Sequence, residues 1–237
     1  DGAAEKLQNV WLGYTESLGH PALRKEIAKI YETIQPEEIL VHSGAEEAIF
    51  LFMLAALKEN DHVIVHAPHY QSLSEVARGM GCMVSPWRAR EENNWSLDLD
   101  ELRHLMRSTT KAIILNTPHN PTGYLMSKSD FEAVNKFARE NNLLLFCDEV
   151  YRESEYDPSL RLPAGADLGD HAVSLGVTSK TYGLAGLRIG WIATKNKTIY
   201  EKMAGLKDYT TICNSAPSEF LAEVALRNRH KLIARNR

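Results

Sequence analysis

Residues 174–191 read SLGVTSKTYGLAGLRIGW. The apolar and small residues of 171–177 and of 187–193 predict two strands, joined by a glycine-punctuated turn. The stretch holds one lysine, Lys180, placed just after the first predicted strand. It also holds one arginine, Arg188, between Leu187 and Ile189 in the second. Long charged side chains normally stay in water. A guanidinium on a buried strand needs an anionic partner. The pair therefore raises the question of what anion the turn is built to hold.

Outward from this stretch the chain alternates strands and helices. Strands are predicted at EILVHSG (38–44), DHVIVHAP (61–68), CMVSPW (82–87), KAIILNTP (111–118) and LLLFCDEVY (143–151). A helix opens at His20-Pro21 with Leu23, Ile27, Ile30 and Tyr31 on one face. Further helices are predicted at 45–57, 71–81, 96–106 and 127–142, and the last begins near Lys197. Apolar strands that alternate with helices predict a three-layer α/β/α domain around a mostly parallel, seven-stranded sheet. Ligands in such folds bind at the carboxyl ends of the strands.

The composition excludes several classes. The 237 residues are 44% hydrophobic and carry a formal net charge of -4, so no basic footprint for nucleic acid is present. No apolar run reaches membrane-spanning length. Cys82, Cys147 and Cys213 are scattered and odd in number, which fits a reducing cytoplasm and neither a disulfide framework nor a zinc site. The opening DGAAEKLQ and the closing RNRHKLIARNR carry no start or stop signals, and the chain is expected to be a piece of a longer protein.

The segments at the strand ends narrow the chemistry. SGAEE (43–47) opens a helix; APHY (67–70), NTPHNPTG (116–123), DEVY (148–151) and TSK (178–180) end the other strands. Singly, each has a plain structural reading as a cap, a turn or a surface charge. Together they place a lysine, an arginine, an aspartate, an asparagine, tyrosines and a helix N-terminus on one sheet edge. That set matches pyridoxal 5'-phosphate. Its aldehyde needs an amine for a Schiff base, and its pyridine nitrogen needs a carboxylate. Its phosphate needs backbone N–H groups and an arginine fork. Its ring face needs an aromatic partner.

Six motifs, LGYTESLGHPALR, HSGAEEA, APHYQSL, NTPHNPTG, CDEVYRE and SKTYGLAGLRIGW, stand in this order from Leu12 to Trp191. With them the chain resembles the fold-type I pyridoxal-phosphate enzymes, specifically the class I/II aminotransferases. The resemblance implies that Lys180 carries the cofactor and moves protons as acid and base. It implies that Asp148 faces the pyridinium N–H, that Asn120 and Tyr151 donate to the phenolate oxygen, and that Tyr70 stacks on the ring. Gly44, Ala45 and Glu46 would offer backbone N–H groups to the phosphate, and Arg188 would clamp it. Tyr14 would reach the phosphate of a second subunit, which implies a homodimer with shared sites. Many relatives carry a serine three positions before the lysine; here it is Val177, so Thr178 or Ser179 would substitute. The family's Asn–Pro bond implies a cis peptide at Asn120–Pro121.

The implied reaction is transfer of an amino group between an amino acid and a 2-oxo acid. A C–S lyase, synthase or cyclase on the same cofactor shell is an alternative, as is an aminotransferase-like regulator domain. Residues 1–237 would form the cofactor-binding large domain, with most of the N-terminal arm and the small domain outside them. No GxGxxG follows a strand, which disfavours a nicotinamide-binding Rossmann enzyme. His62, His66 and His69 lack a spaced fourth ligand and read as structural or surface histidines.

Overall fold

The computed structural model describes residues 2–237. Its sheet is built from β1 (Ile39–His42), β2 (His62–Ala67), β3 (Met83–Arg88), β4 (Thr110–Asn116), β5 (Leu144–Asp148), β6 (Ala172–Val177) and β7 (Gly190–Thr194). The strand order is β1-β7-β6-β5-β4-β2-β3, parallel from β3 through β6. β7 alone runs antiparallel to both its neighbours. This is the mostly parallel seven-stranded sheet that the apolar runs predict. The helices are α1 (Ala3–Gln8), α2 (Pro21–Ala28), α3 (Ala45–Ala56), α4 (Ser72–Gly79), α5 (Leu99–Leu105), α6 (Lys128–Glu140), α7 (Lys197–Lys207), α8 (Ala216–Arg227) and α9 (Arg229–Asn236).

Alternate strand residues feed two opposite cores, because successive side chains point to opposite faces of a sheet. Leu40, Val63, Val65 and Ile114 pack under α3, α4 and α7 with Phe52, Leu73 and Met203. Ile64, Ile113 and Leu115 pack on the other face under α5 and α6 with Leu102, Phe131 and Val134. Ile39, Val41 and Trp191 meet α2, α8 and α9 through Leu23, Ile27, Leu226 and Ile233. The central strands are buried on both faces and so read as continuous apolar runs rather than alternating ones. β3 lies at the sheet edge and alternates in burial, which is where Pro86 is tolerated.

The antiparallel β7 has a direct consequence for the Lys180–Arg188 stretch. Val177, the last residue of β6, pairs with Gly190, the first of β7. The intervening segment therefore leaves and re-enters the sheet at one edge. His42, the last residue of β1, pairs with the same Gly190, so α3 also starts at that edge. The carboxyl ends of β4 and β5 lie there too, with Asn116 opposite Asp148.

Three expectations are corrected. The strand predicted at 187–193 begins only at Gly190. Residues Ala185–Leu187 form a 3-10 turn, and Arg188 is exposed with φ 53, so it is not a buried strand residue. The left-handed backbone there redirects the chain into β7 and leaves the guanidinium outside the core. The helix from Lys197 ends at Lys207, and two further helices follow, separated at Asn228. Glu26, which is not among the four residues of the apolar face predicted for this helix, is nonetheless buried, because Lys29 and Arg227 pair with its carboxylate. Of the two readings of the histidines, the structural one holds for His62 and His66, which are both buried. His62 is held between the hydroxyls of Thr110 and Ser85, and His66 stacks on His119 at 3.7 Å. Among the described residues no helix is long and apolar enough to cross a membrane.

Candidate active site

β4 ends in Asn116, which is buried and bonds in two directions. Its Nδ2 donates to the Asp148 carbonyl at 3.0 Å, and its Oδ1 accepts the Asn120 N–H at 2.8 Å. One side chain thus ties the end of β5 to the loop that carries Asn120. The Asn120–Pro121 bond is cis, as expected, and so are Ala67–Pro68 and Thr117–Pro118. His119 ties the same loop sideways. Its Nε2 donates to the Pro68 carbonyl at 2.8 Å, and its Nδ1 lies 2.6 Å from the Thr122 hydroxyl. The loop that carries Tyr70 is thereby fixed relative to Asn120.

Asp148 ends β5 and is buried. Its Oδ1 accepts the Val150 N–H at 3.2 Å. Burial pushes its carboxyl up to about 7, against the Val150 bond, with the charges of Glu149 and Glu46 adding and Lys180 opposing. A carboxyl held near neutrality by desolvation ionises readily once a cation is placed against it.

The N-terminus of α3 lies at the same edge. Gly44 precedes the helix with φ 84 and no side-chain cap. Its N–H turns back to the His42 carbonyl at 2.8 Å, which leaves Ala45 and Glu46 to present the free first-turn N–H groups. What Gly44 contributes is space: a Cβ there would lie 2.5 Å from Nη2 of Arg188. Gly190 approaches from the other side, where a Cβ would lie 2.7 Å from the Gly44 carbonyl carbon.

Thr178 and Ser179 divide clearly. The Thr178 hydroxyl donates to the Ile189 carbonyl at 3.0 Å and is committed to the turn. The Ser179 hydroxyl is buried without any hydrogen-bond partner. Lys180 is exposed, with Nζ 6.0 Å from the centre of the Tyr151 ring. Neither Lys180 nor Arg188 takes part in an ion pair among the described residues. Tyr70 is half exposed, and its hydroxyl is held above its usual pKa by the hydrogen bond and charge of Glu46.

These groups surround one cavity of about 180 Å³. Ala45, Glu46, Tyr70, Asn116, Asn120, Asp148, Tyr151, Ser179, Lys180 and Arg188 all line it, with Val177 on its wall. Gly44 stands directly behind through its contact with Arg188. Tyr14 is not brought here. It is 78% exposed and lines a separate cavity with Trp11, His20 and Glu219. Asn116 was not singled out in the sequence. Its signal was available: it is the polar residue that closes the apolar run of β4, at the head of NTPHNPTG. Among the described residues no cluster has the composition of a metal site.

The donors fit a planar aldehyde bearing a phosphate. An uncommitted amine, a buried carboxyl, a helix N-terminus, a guanidinium without an ionic partner and an orphaned hydroxyl meet in a single pocket. Comparison with known proteins gives the same direction. An aspartate aminotransferase of Sulfurisphaera tokodaii is 31% identical over 233 residues, 95% of this chain and 57% of that protein. A capreomycidine synthase of Streptomyces vinaceus is 32% identical over 92% of this chain and 55% of its own. A PLP-dependent aminotransferase of Streptococcus suis superposes with a TM-score of 0.93 at 35% identity, over 99% of this chain and 62% of that one. The chain thus spans somewhat over half the length of these curated relatives. The family model for aminotransferase class I and II matches residues 3–234, and the chain belongs to that family.

Proposed function

We propose that residues 1–237 form the cofactor-binding large domain of an aminotransferase that moves an amino group between an amino acid and a 2-oxo acid. The observation that carries this reading is the convergence of Lys180, Asp148, Asn120, Tyr151 and Arg188 on one cavity. Pyridoxal 5'-phosphate, when bound, supplies an electron sink for the pair left when a bond at the substrate Cα breaks. The chain's own residues hold and steer it. Lys180 would hold the cofactor covalently through its side-chain amine. When free, that amine would take the substrate Cα proton as a base and give it back as an acid. Asp148 keeps a proton on the ring nitrogen, since a buried carboxylate and a pyridinium stabilise each other. Asn120 and Tyr151 donate to the phenolate oxygen, and Tyr70 covers a ring face. Ala45 and Glu46 N–H groups, the Ser179 hydroxyl and Arg188 take the phosphate. Tyr14, exposed on this chain, would act on the site of a second copy, which makes the working unit a homodimer. A cytoplasmic setting suits the three free thiols.

The test is direct. Pyridoxal phosphate added to the purified protein gives an absorbance band, and borohydride fixes it onto Lys180. A Lys180→Ala variant that still formed the adduct would refute the assignment. A second reading, a synthase or lyase on the same cofactor, is favoured by the capreomycidine synthase, 32% identical, among relatives of similar identity. Amino acid alone should convert the cofactor to its pyridoxamine form under the first reading. Keto-acid release without that conversion supports the second.

A further inference from the structure

Glu47 sits third in α3, one residue beyond Ala45 and Glu46, which line the cavity. A carboxylate so near an anion cradle is costly unless its charge is directed elsewhere. Here it turns away from the pocket. Its Oε2 accepts the Ser43 N–H at 2.6 Å. Its Oε1 accepts the hydroxyls of Thr210 and Thr211 at 2.5 and 2.7 Å. The carboxyl is accordingly held far below its usual value, at about 2, by His42, Thr210, Ser43 and Thr211 against its own desolvation. Behind it lies the fully buried Lys207, whose Nζ donates to the Ser17 carbonyl at 2.6 Å and whose charge offsets that of Glu47.

These bonds account for how the cradle keeps its shape. The Ser43–Gly44 turn has no side-chain cap of its own at Gly44, yet the φ 84 and ψ 175 of Gly44 set how α3 begins at the cavity. The bond from Ser43 N–H to Glu47 closes that turn, and the two threonine hydroxyls anchor Glu47 to the 208–213 segment. We propose that Glu47 is a positioning residue for the phosphate end of the site, clamping the Ser43–Gly44 turn to Thr210 and Thr211 so that α3 presents preset donors. This rests on the pyridoxal-phosphate reading above. The clamp touches the phosphate end alone; Lys180 and Asp148 do not depend on it.

The experiment compares two probes, pyridoxal 5'-phosphate and pyridoxal, titrated by absorbance against the wild-type chain and its variants. Glu47→Ala should weaken pyridoxal phosphate about tenfold, the effect of losing one charge-assisted hydrogen bond, and leave pyridoxal within about twofold. Glu47→Gln should restore the wild-type preference, because its amide oxygen can accept from Ser43 while its NH2 donates to the threonine oxygens. A double Thr210→Val, Thr211→Val variant cuts the far end of the clamp and leaves α3 untouched; it should show the same phosphate-selective loss if Glu47→Ala fails to fold. Equal losses for both probes overturn the proposal, and so does an unchanged pyridoxal phosphate affinity in Glu47→Ala or in the double threonine variant. If the wild-type chain takes up neither probe, the cofactor reading fails and this inference falls with it.

Discussion

Gly190→Ala is the substitution with the sharpest expected outcome. Gly190 is the first residue of β7 and pairs with both Val177 and His42. An added Cβ would lie 2.7 Å from the carbonyl carbon of Gly44 and 2.9 Å from the nitrogen of Ala45. Ordinary contact begins near 3.4 Å, so one backbone must retreat by about 0.7 Å. Neither neighbour is the far end of a flexible side chain; both are main-chain atoms at the start of α3. Overpacking of this kind costs about 1–3 kcal/mol. For a chain of this size about 2 kcal/mol lowers Tm by roughly 4–8 °C. The displaced atoms belong to the anion cradle, so pyridoxal phosphate affinity should fall roughly tenfold, while pyridoxal binding changes little. Thermal unfolding and cofactor titration read the two effects. Gly186→Ala is the control, since a Cβ there meets nothing within 4 Å. An unchanged Tm and an unchanged affinity for Gly190→Ala would refute the claim that this close approach shapes the cradle.

Three further outcomes concern the site. Asp148 is raised in the fold, so the native state binds a proton that the unfolded chain releases; stability of the cofactor-free protein should fall as pH rises from about 4 through about 7. The span is about three units and sets an upper bound of about 4 kcal/mol. Asp148→Asn, which keeps the oxygen that accepts from Val150, should flatten that slope in denaturant unfolding at pH 5 and pH 8. Asn116→Ala removes its bonds to the Asp148 carbonyl and the Asn120 N–H and should cost about 1–3 kcal/mol by chemical denaturation, with weaker cofactor binding. Ser179→Ala should leave the cofactor-free fold unharmed, as its hydroxyl has no partner, yet weaken pyridoxal phosphate; Thr178→Val should cost about 1 kcal/mol with or without cofactor. Equal stability losses in both would contradict the division of labour between them.

The sheet was legible because its central strands are covered on both faces, and double burial demands unbroken apolar runs such as Ala112–Leu115 and Leu145–Cys147. The residues of the pocket were legible for a related reason. A polar side chain that ends such a run, like Asp148 after Cys147, has no packing role there and stands out. Arg188 misled the strand reading because flanking Leu187 and Ile189 give the local pattern of a strand, whereas its left-handed backbone is set by the turn. Asn116 and Glu47 were illegible as partners, since their bonds reach Asp148, Thr210 and Thr211, far away in the chain.

By itself the sequence determined the strand and helix alternation, the family motifs and the residues at the strand ends, because periodicity and local chemistry are carried by neighbours in the chain. The tertiary structure alone decided that β7 runs antiparallel. That reversal returns Arg188 to the edge where Lys180 and α3 begin, and presses Gly190 against Gly44. It alone decided that Ser179 rather than Thr178 keeps a free hydroxyl, since the Ile189 carbonyl that takes Thr178 arrives only when the turn closes. Hydrogen bonds across such distances are consequences of packing, and no local pattern encodes them.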